Sequence, residues 1–306
     1  MAIALRQNLS KLPNPFAGFI KDENYMWWAA FPVILGMFIA IMDSSIVNVA
    51  MPKVMAAFGA NLEEIEWVST GYMLSAALMM SMTGFLGDRF GKKKLYTIAL
   101  LVFTLTSVLC GLSWSVNSLI FFRVLQGMSG GMLQPVGQAI LFEAFPPHKR
   151  GMSMALVGLG AMVAPMLGPT IGGYIVDNLS WRWIYYVNLP FGLLAVFVAI
   201  SVLRSSRIKA VRFDGWGFAS MALFLPTLLL GISQANSKGW SSEYILGLFA
   251  FAGLTFAVFL AVSFWRREPI MDLRLFAIPT YTAGTLTSIV MGIGMFGAMF
   301  LIPMFL

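Results

Sequence analysis

Gly84-Phe85-Leu86-Gly87-Asp88-Arg89-Phe90-Gly91-Lys92-Lys93-Lys94-Leu95 sets five charges between two long apolar runs, roughly 67–86 and 95–113. Each run approaches the roughly 20 apolar residues that a helix needs to cross a hydrocarbon core. The charges hold the intervening segment at a surface, and its glycines permit a tight turn. Taken alone, the stretch is a basic loop joining two membrane helices.

Working outward, the same pattern repeats. Of 306 residues 59% are hydrophobic and 11% charged, and mean hydropathy is +0.82, far from the balance of a water-soluble domain. Nine spans are expected at about 28–50, 67–86, 95–113, 118–142, 152–176, 184–203, 215–235, 244–264 and 281–305. Alternating ten-residue strand patterns are missing from the sequence, and lipid admits only helices and closed barrels. The expected fold is an all-α, polytopic membrane protein with no soluble second domain.

The net charge of +7 could suggest a nucleic-acid partner, but the distribution of the basic residues points to a bilayer. With the N-terminus in the cytoplasm, sixteen of the twenty Lys and Arg fall on the cytoplasmic side: Arg6, Lys11, Lys21, Arg89, Lys92, Lys93, Lys94, Lys149, Arg150, Arg204, Arg207, Lys209, Arg212, Arg266, Arg267 and Arg274. That is the positive-inside asymmetry, and one helix more or fewer would destroy it. Residues 1–27 lack the short apolar core and cleavage site of a signal peptide, so span one reads as an uncleaved start-transfer helix. Trp27 and Trp28 suit the headgroup level.

Enzymatic chemistry finds little footing. Cys110 and His148 are the single representatives of their types, so a Cys/His metal site or catalytic pair has no second member. No phosphate-cradling G-x-x-x-x-G-K-[ST] loop is present. Glu63, Glu64 and Glu66 read as solvated acids of the first outer loop. Glu143 stands at the end of span four, where a helix-terminus role and a gating role are both open.

Four motifs carry a resemblance. The segment Gly84 to Leu95 resembles the hallmark cytoplasmic loop of the major facilitator superfamily, G-x-L-x-D-R-x-G-K-K. Arg123-Val124-Leu125-Gln126-Gly127-Met128-Ser129-Gly130-Gly131 is similar to the family's R-x-x-Q-G-x-x-x-G element. At about 100° per residue, Arg123, Gln126, Gly127, Gly130, Gln134, Gly137 and Gln138 share one face, with Phe121, Leu125, Met128, Met132 and Val136 opposite on a lipid face. An intramembrane arginine on a stripe of glutamines exceeds what helix packing requires. Ala164-Pro165-Met166-Leu167-Gly168-Pro169-Thr170-Ile171-Gly172-Gly173 is close to the antiporter signature G-x-x-x-G-P-x-x-G-G, with Ala164 in place of its first glycine. Met42-Asp43-Ser44-Ser45-Ile46-Val47-Asn48-Val49-Ala50-Met51-Pro52 resembles the L-D-x-T-I-V-N-V-A-L-P signature of drug:proton antiporters. Together with Trp181-Arg182-Trp183-Ile184, Asn188-Leu189-Pro190-Phe191-Gly192 and two further spans before 281–305, it points to the fourteen-helix EmrB/QacA-type branch.

The resemblance implies alternating access between two six-helix halves, with proton entry driving the exit of hydrophobic or cationic drugs and no cofactor. It implies residues 1–27 as a cytoplasmic tail, 28–203 as the N-terminal half, 204–264 as a linker with two extra helices, and 265–306 as the start of the C-terminal half. Asp43 and Arg123 are the expected proton-coupling pair. Asn48, Tyr72, Met73, Gln126, Gln134 and Gln138 are expected to line the substrate cavity. Gly84, Asp88, Arg89, Gly91 and Lys92 form the conformational-switch loop, and Ala164, Pro165, Gly168, Pro169, Gly172 and Gly173 the antiporter motif. The expected setting is a cell (inner) membrane, multi-pass, with the N-terminus cytoplasmic. Expected partners are the lipid bilayer, amphipathic small molecules and protons. Some relatives in two-membrane bacteria add a periplasmic adaptor and an outer-membrane channel. An importer or exporter of a specific metabolite or siderophore on the same fold is the alternative. The odd span count and the apolar run Phe300 to Leu306 lead us to expect that the protein continues past residue 306.

Overall fold

The computed structural model describes residues 22–206, 208, 213–266 and 269–305, the side chains of 295–305 excepted. Residues 1–21 of the tail, the basic residues Arg207, Lys209, Arg212 and Arg267 of the topology argument, Glu268 and Leu306 lie outside the described residues. Ten α-helices are found among the described residues: α1 Tyr25–Phe58, α2 Leu62–Phe90, α3 Lys92–Gly111, α4 Val116–Ala144, α5 Arg150–Asn178, α6 Trp183–Tyr186, α7 Asn188–Val202, α8 Gly215–Lys238, α9 Glu243–Trp265 and α10 Pro279–Phe305. They account for the nine expected spans, the sixth being built in two pieces, α6 and α7, that meet at Val187.

Local chemistry sets the ends. The 34-residue α1 runs through Pro52 and Lys53, about 51 Å at 1.5 Å per residue, and is therefore longer than the 28–50 expected. It stops at Gly59, φ 62°, where the Ala60 N–H returns to the Met55 carbonyl at 3.1 Å, a left-handed cap that glycine adopts without strain. Helix α2 begins at Leu62 behind a capping box. The Glu64 N–H donates to Asn61 Oδ1 at 2.8 Å, and the Asn61 N–H donates to Glu64 Oε2 at 3.1 Å. This corrects the reading of Glu63, Glu64 and Glu66 as loop acids: all three lie in α2, at the end where the helix dipole favours negative charge. Gly91 alone separates α2 from α3, and its φ of 85° is open to glycine at little cost.

The chain divides into two compact units, Met1–Val211 and Arg212–Leu306. In the first, α1 packs on α4, α5 and α7, α2 packs along α4, and α3 packs on α4 and α7. Helices α1, α3, α5 and the α6–α7 pair each hold an apolar window of membrane-span length. Helices α2 and α4 are more polar because small and polar residues fill their buried faces. A Cβ on Gly127 would sit 2.9 Å from Tyr72 Cα, and one on Gly131 only 2.6 Å from Ala76 Cα. Glycine here lets two backbones touch, as small residues do in membrane interfaces.

In the second unit α8 packs on α9, both apolar enough to span a membrane. Gly231 faces Phe249. Asp214 caps α8 by accepting from the Gly217 N–H at 3.0 Å and lies 3.4 Å from Arg266 Nε.

Candidate functional site

The first unit contains two apolar clusters with a polar layer between them. One gathers Met26, Val33, Met37, Tyr96, Phe103, Leu133, Leu141 and Leu203. The other gathers Ile46, Val47, Val54, Ile65, Cys110, Leu119, Ile175 and Ile184. Asp43 on α1 falls between the two stretches of α1 that supply them, and its side chain is fully buried.

Arg123 on α4 is 1% exposed, and its Nη1 donates to Asp43 Oδ2 at 2.5 Å. A charge at such depth is costly unless paired and hydrogen-bonded, and the surroundings meet both requirements. Arg123 Nη1 also donates to Gln126 Oε1 at 2.8 Å, and Nε donates to the Val68 carbonyl at 3.3 Å. The guanidinium carbon stands 4.1 Å from the centre of the Tyr72 ring, cation–π range. On the other side, Asp43 Oδ1 accepts from Gln126 Nε2 at 3.0 Å and from Asn188 Nδ2 at 2.7 Å. Three helices therefore converge on one carboxylate.

The expected cavity residues divide. Asn48, Met73 and Gln134 are exposed and Gln138 half-buried, and Asn48 accepts from the Ser69 hydroxyl at 3.1 Å. Tyr72 and Gln126, by contrast, are buried. They do not line an open wall, because the buried guanidinium takes up both the ring face and the amide. Val136 also departs from its expected lipid-facing position and lies in the first apolar cluster. Helix α4 is packed by α1, α2 and α3, so a single helical period could not give it one free face.

The expected switch loop shrinks to Gly91, with Gly84, Asp88 and Arg89 inside α2 and Lys92 opening α3, where Lys92 forms an ion pair with Glu143 near the end of α4. That contact belongs to the helix termini, one of the two roles open for Glu143. Gly84, Asp88 and Lys92 border a pocket with Thr83, Pro135, Val136 and Ala139. Gly91 supplies the positive φ, and Arg89 is exposed. In the antiporter motif, Ala164, Gly168 and Gly172 are buried, with Gly168 against Ser45 and Gly172 against Ile46 of α1. Pro165 is half-buried, Pro169 is exposed, and a Cβ on Gly173 would meet nothing within 4 Å.

Sequence reasoning missed Asn188, Ser107 and Tyr185 as members of the site. Asn188 Nδ2 donates to Ser107 Oγ at 3.1 Å, and the Ser107 hydroxyl donates to the Tyr185 carbonyl at 2.9 Å. Cys110, read as a core thiol, is buried and points its Sγ at Gln126 Oε1, 3.5 Å away. The available signal was an asparagine two residues before a proline in an otherwise apolar span.

The family description Major Facilitator Superfamily matches residues 33–305. The multidrug transporter protein MdtP of Bacillus subtilis (strain 168) is 35% identical over 276 residues, 90% of this chain and 51% of that protein. The multidrug resistance protein B homolog of Mycobacterium tuberculosis (strain ATCC 25618 / H37Rv) is 37% identical over 276 residues, 89% of this chain and 51% of that protein. The chain thus spans about half the length of these relatives. The solved structure of the proton:xylose symporter XylE bound to 6-bromo-6-deoxy-D-glucose superposes with a TM-score of 0.55 at 14% identity, over 85% of this chain and 57% of that one, a likeness of fold. With a family match across nearly its whole length and that family's helical fold, the chain belongs to the Major Facilitator Superfamily of multi-pass membrane transporters.

Proposed function

We propose that this chain supplies the proton-coupling half of an exporter of hydrophobic or cationic drugs, with Asp43 as proton carrier and Arg123 as its electrostatic partner. The observation that supports the reading best is the buried Asp43–Arg123 pair, with the carboxylate further held by Gln126 and Asn188. A group that only needed to hold helices together would be served as well by apolar packing, whereas a carboxylate can also change charge by taking a proton.

In this reading a proton from outside neutralises Asp43, and its release to the cytoplasm restores the pair with Arg123. Drug leaves in exchange as the halves alternate. Residues 28–203 form the N-terminal half, 204–264 the linker helices, and 265–306 the start of the second half. The protein resides in the cell (inner) membrane with its N-terminus cytoplasmic, uses no cofactor, and in two-membrane cells pairs with a periplasmic adaptor and outer-membrane channel. The naming of relatives as multidrug proteins supports drugs as the substrate class.

The test is Asp43→Asn, which mimics the protonated acid, assayed by drug accumulation in everted membrane vesicles. The variant should insert normally and lose the dependence of drug transport on the proton gradient. Full transport that still collapses with the gradient would remove Asp43 from this role. Gradient-driven uptake in right-side-out vesicles would assign an importer instead.

A further inference from the structure

The Asp43 carboxylate receives two amide donors on one oxygen, and the two amides differ in how they are held. Gln126 is engaged at both ends: Nε2 donates to Asp43, while Oε1 accepts from Arg123 at 2.8 Å and faces Cys110 Sγ. Asn188 is engaged at one end only. Its Nδ2 donates to Asp43 and Ser107, and its fully buried Oδ1 has no hydrogen-bond partner among the described residues. The assignment of the nitrogen follows from chemistry, since an ionised carboxylate only accepts. An orphaned buried acceptor is uncommon and calls for an explanation.

A proton bound at Asp43 Oδ1 occupies one of that oxygen's lone pairs and turns an acceptor into a donor. One amide must then give way. Gln126 cannot turn without breaking its contact with Arg123. Asn188 can, because rotation about its last side-chain torsion is nearly two-fold and exchanges Nδ2 for the free Oδ1.

We infer that Asn188 is the positioning residue through which protonation of Asp43 reaches α7: on protonation its amide turns, Oδ1 accepts the Asp43 O–H, and the link from Nδ2 to Ser107 is released. The inference rests on Asp43 being the proton carrier. The turned amide carries its N–H groups away from both present acceptors. With its hydroxyl held by the Tyr185 carbonyl in α6, Ser107 Oγ then faces the Asn188 Oδ1 acceptor in place of a donor. The change therefore falls beside the α6–α7 break at Val187 and loosens α7 from α1 and α3, the helices it packs against. Arg123 keeps Gln126, the Val68 carbonyl and the Tyr72 ring throughout. The charged and titratable groups around the carboxyl are Tyr72 on α2, Cys110 on α3, Arg123 on α4 and Tyr185 on α6. Arg123 is the one cation among these.

Infrared difference spectra of the full protein in lipid, low pH minus high pH, test the inference directly. A protonated carboxyl band that vanishes in Asp43→Asn is expected, together with a shifted side-chain amide carbonyl band that vanishes in Asn188→Leu. The carboxyl band without the amide shift would overturn the inference and leave Asp43 as proton carrier. Loss of both bands in the wild type would overturn the two together. In vesicles, Asn188→Leu should lower gradient-driven export at least tenfold while drug binding without a gradient is retained, and Asn188→Gln should restore part of it. Unchanged gradient-driven export in an inserted Asn188→Leu protein would overturn the inference. Asn188→Ser, smaller and still able to hydrogen-bond, takes its place if the leucine variant does not insert.

Discussion

Gly168 on α5 faces Ser45 on α1 so closely that a Cβ at position 168 would lie 2.9 Å from Ser45 Cβ and 3.2 Å from the Ile46 nitrogen. Ser45 is two residues from Asp43, so this contact fixes the stretch of α1 that carries the carboxylate. Gly168→Ala should separate α5 from α1 at about 1–3 kcal/mol, the usual cost of overpacking. Gly173→Ala, in the same motif but facing open space, should stay within about 0.5 kcal/mol. Thermal unfolding of the two variants in detergent compares them, and equal losses would mean that helix flexibility rather than contact sets the requirement.

Tyr72 supports Arg123 with its ring more than with its hydroxyl. The ring lies 4.1 Å from the guanidinium carbon, while the hydroxyl reaches the Ala40 carbonyl only at 3.4 Å, long for an O–H donor. Tyr72→Phe should therefore cost no more than about 0.5–1.5 kcal/mol. Tyr72→Ala removes the aromatic face and opens a cavity, an effect of about 3–5 kcal/mol. Unfolding midpoints of the pair decide the matter, and a phenylalanine variant as damaged as the alanine one would make the hydroxyl the essential part.

Gly91 and Gly84 belong to one motif but answer to different constraints. Gly91 has φ 85°, and a Cβ there would find only ordinary contacts, the nearest at 3.7 Å. Gly91→Ala should thus cost about 1–3 kcal/mol through backbone strain alone. Gly84 is exposed in the middle of a helical turn, and a Cβ there meets nothing within 4 Å. Gly84→Ala should leave the stability of this unit unchanged, so any loss of transport in a normally inserted Gly84→Ala protein would report on motion rather than folding. Expression level, unfolding midpoint and transport rate measured side by side separate the two.

Much of the architecture was legible in residues read one window at a time. Span number follows from apolar length, and Gly91, Pro190 and the basic runs mark where helices turn or enter. Those signals are local, because the cost of placing a charge or an open backbone group in hydrocarbon depends little on which helix lies next door. The capping box at Asn61 and Glu64, by contrast, came from the structure, which starts α2 at Leu62 and moves the three glutamates from the loop into the helix.

The site was legible only in part. Asp43 and Arg123 are visible as charges where charges are costly, and their depths along two antiparallel spans could be matched from a 1.5 Å rise per residue. The sequence by itself therefore determined a helical, multi-pass membrane chain with an acid and a cation at similar depth in two of its spans. The tertiary structure alone decided what completes the pair. Asn188 reaches Asp43 from beside the break of span six at Val187, Gln126 turns inward because α4 is enclosed by α1, α2 and α3, and Tyr72 turns inward because α2 packs along α4. Helix rotation about its own axis is set by packing on several neighbours at once, and no period within one segment records it.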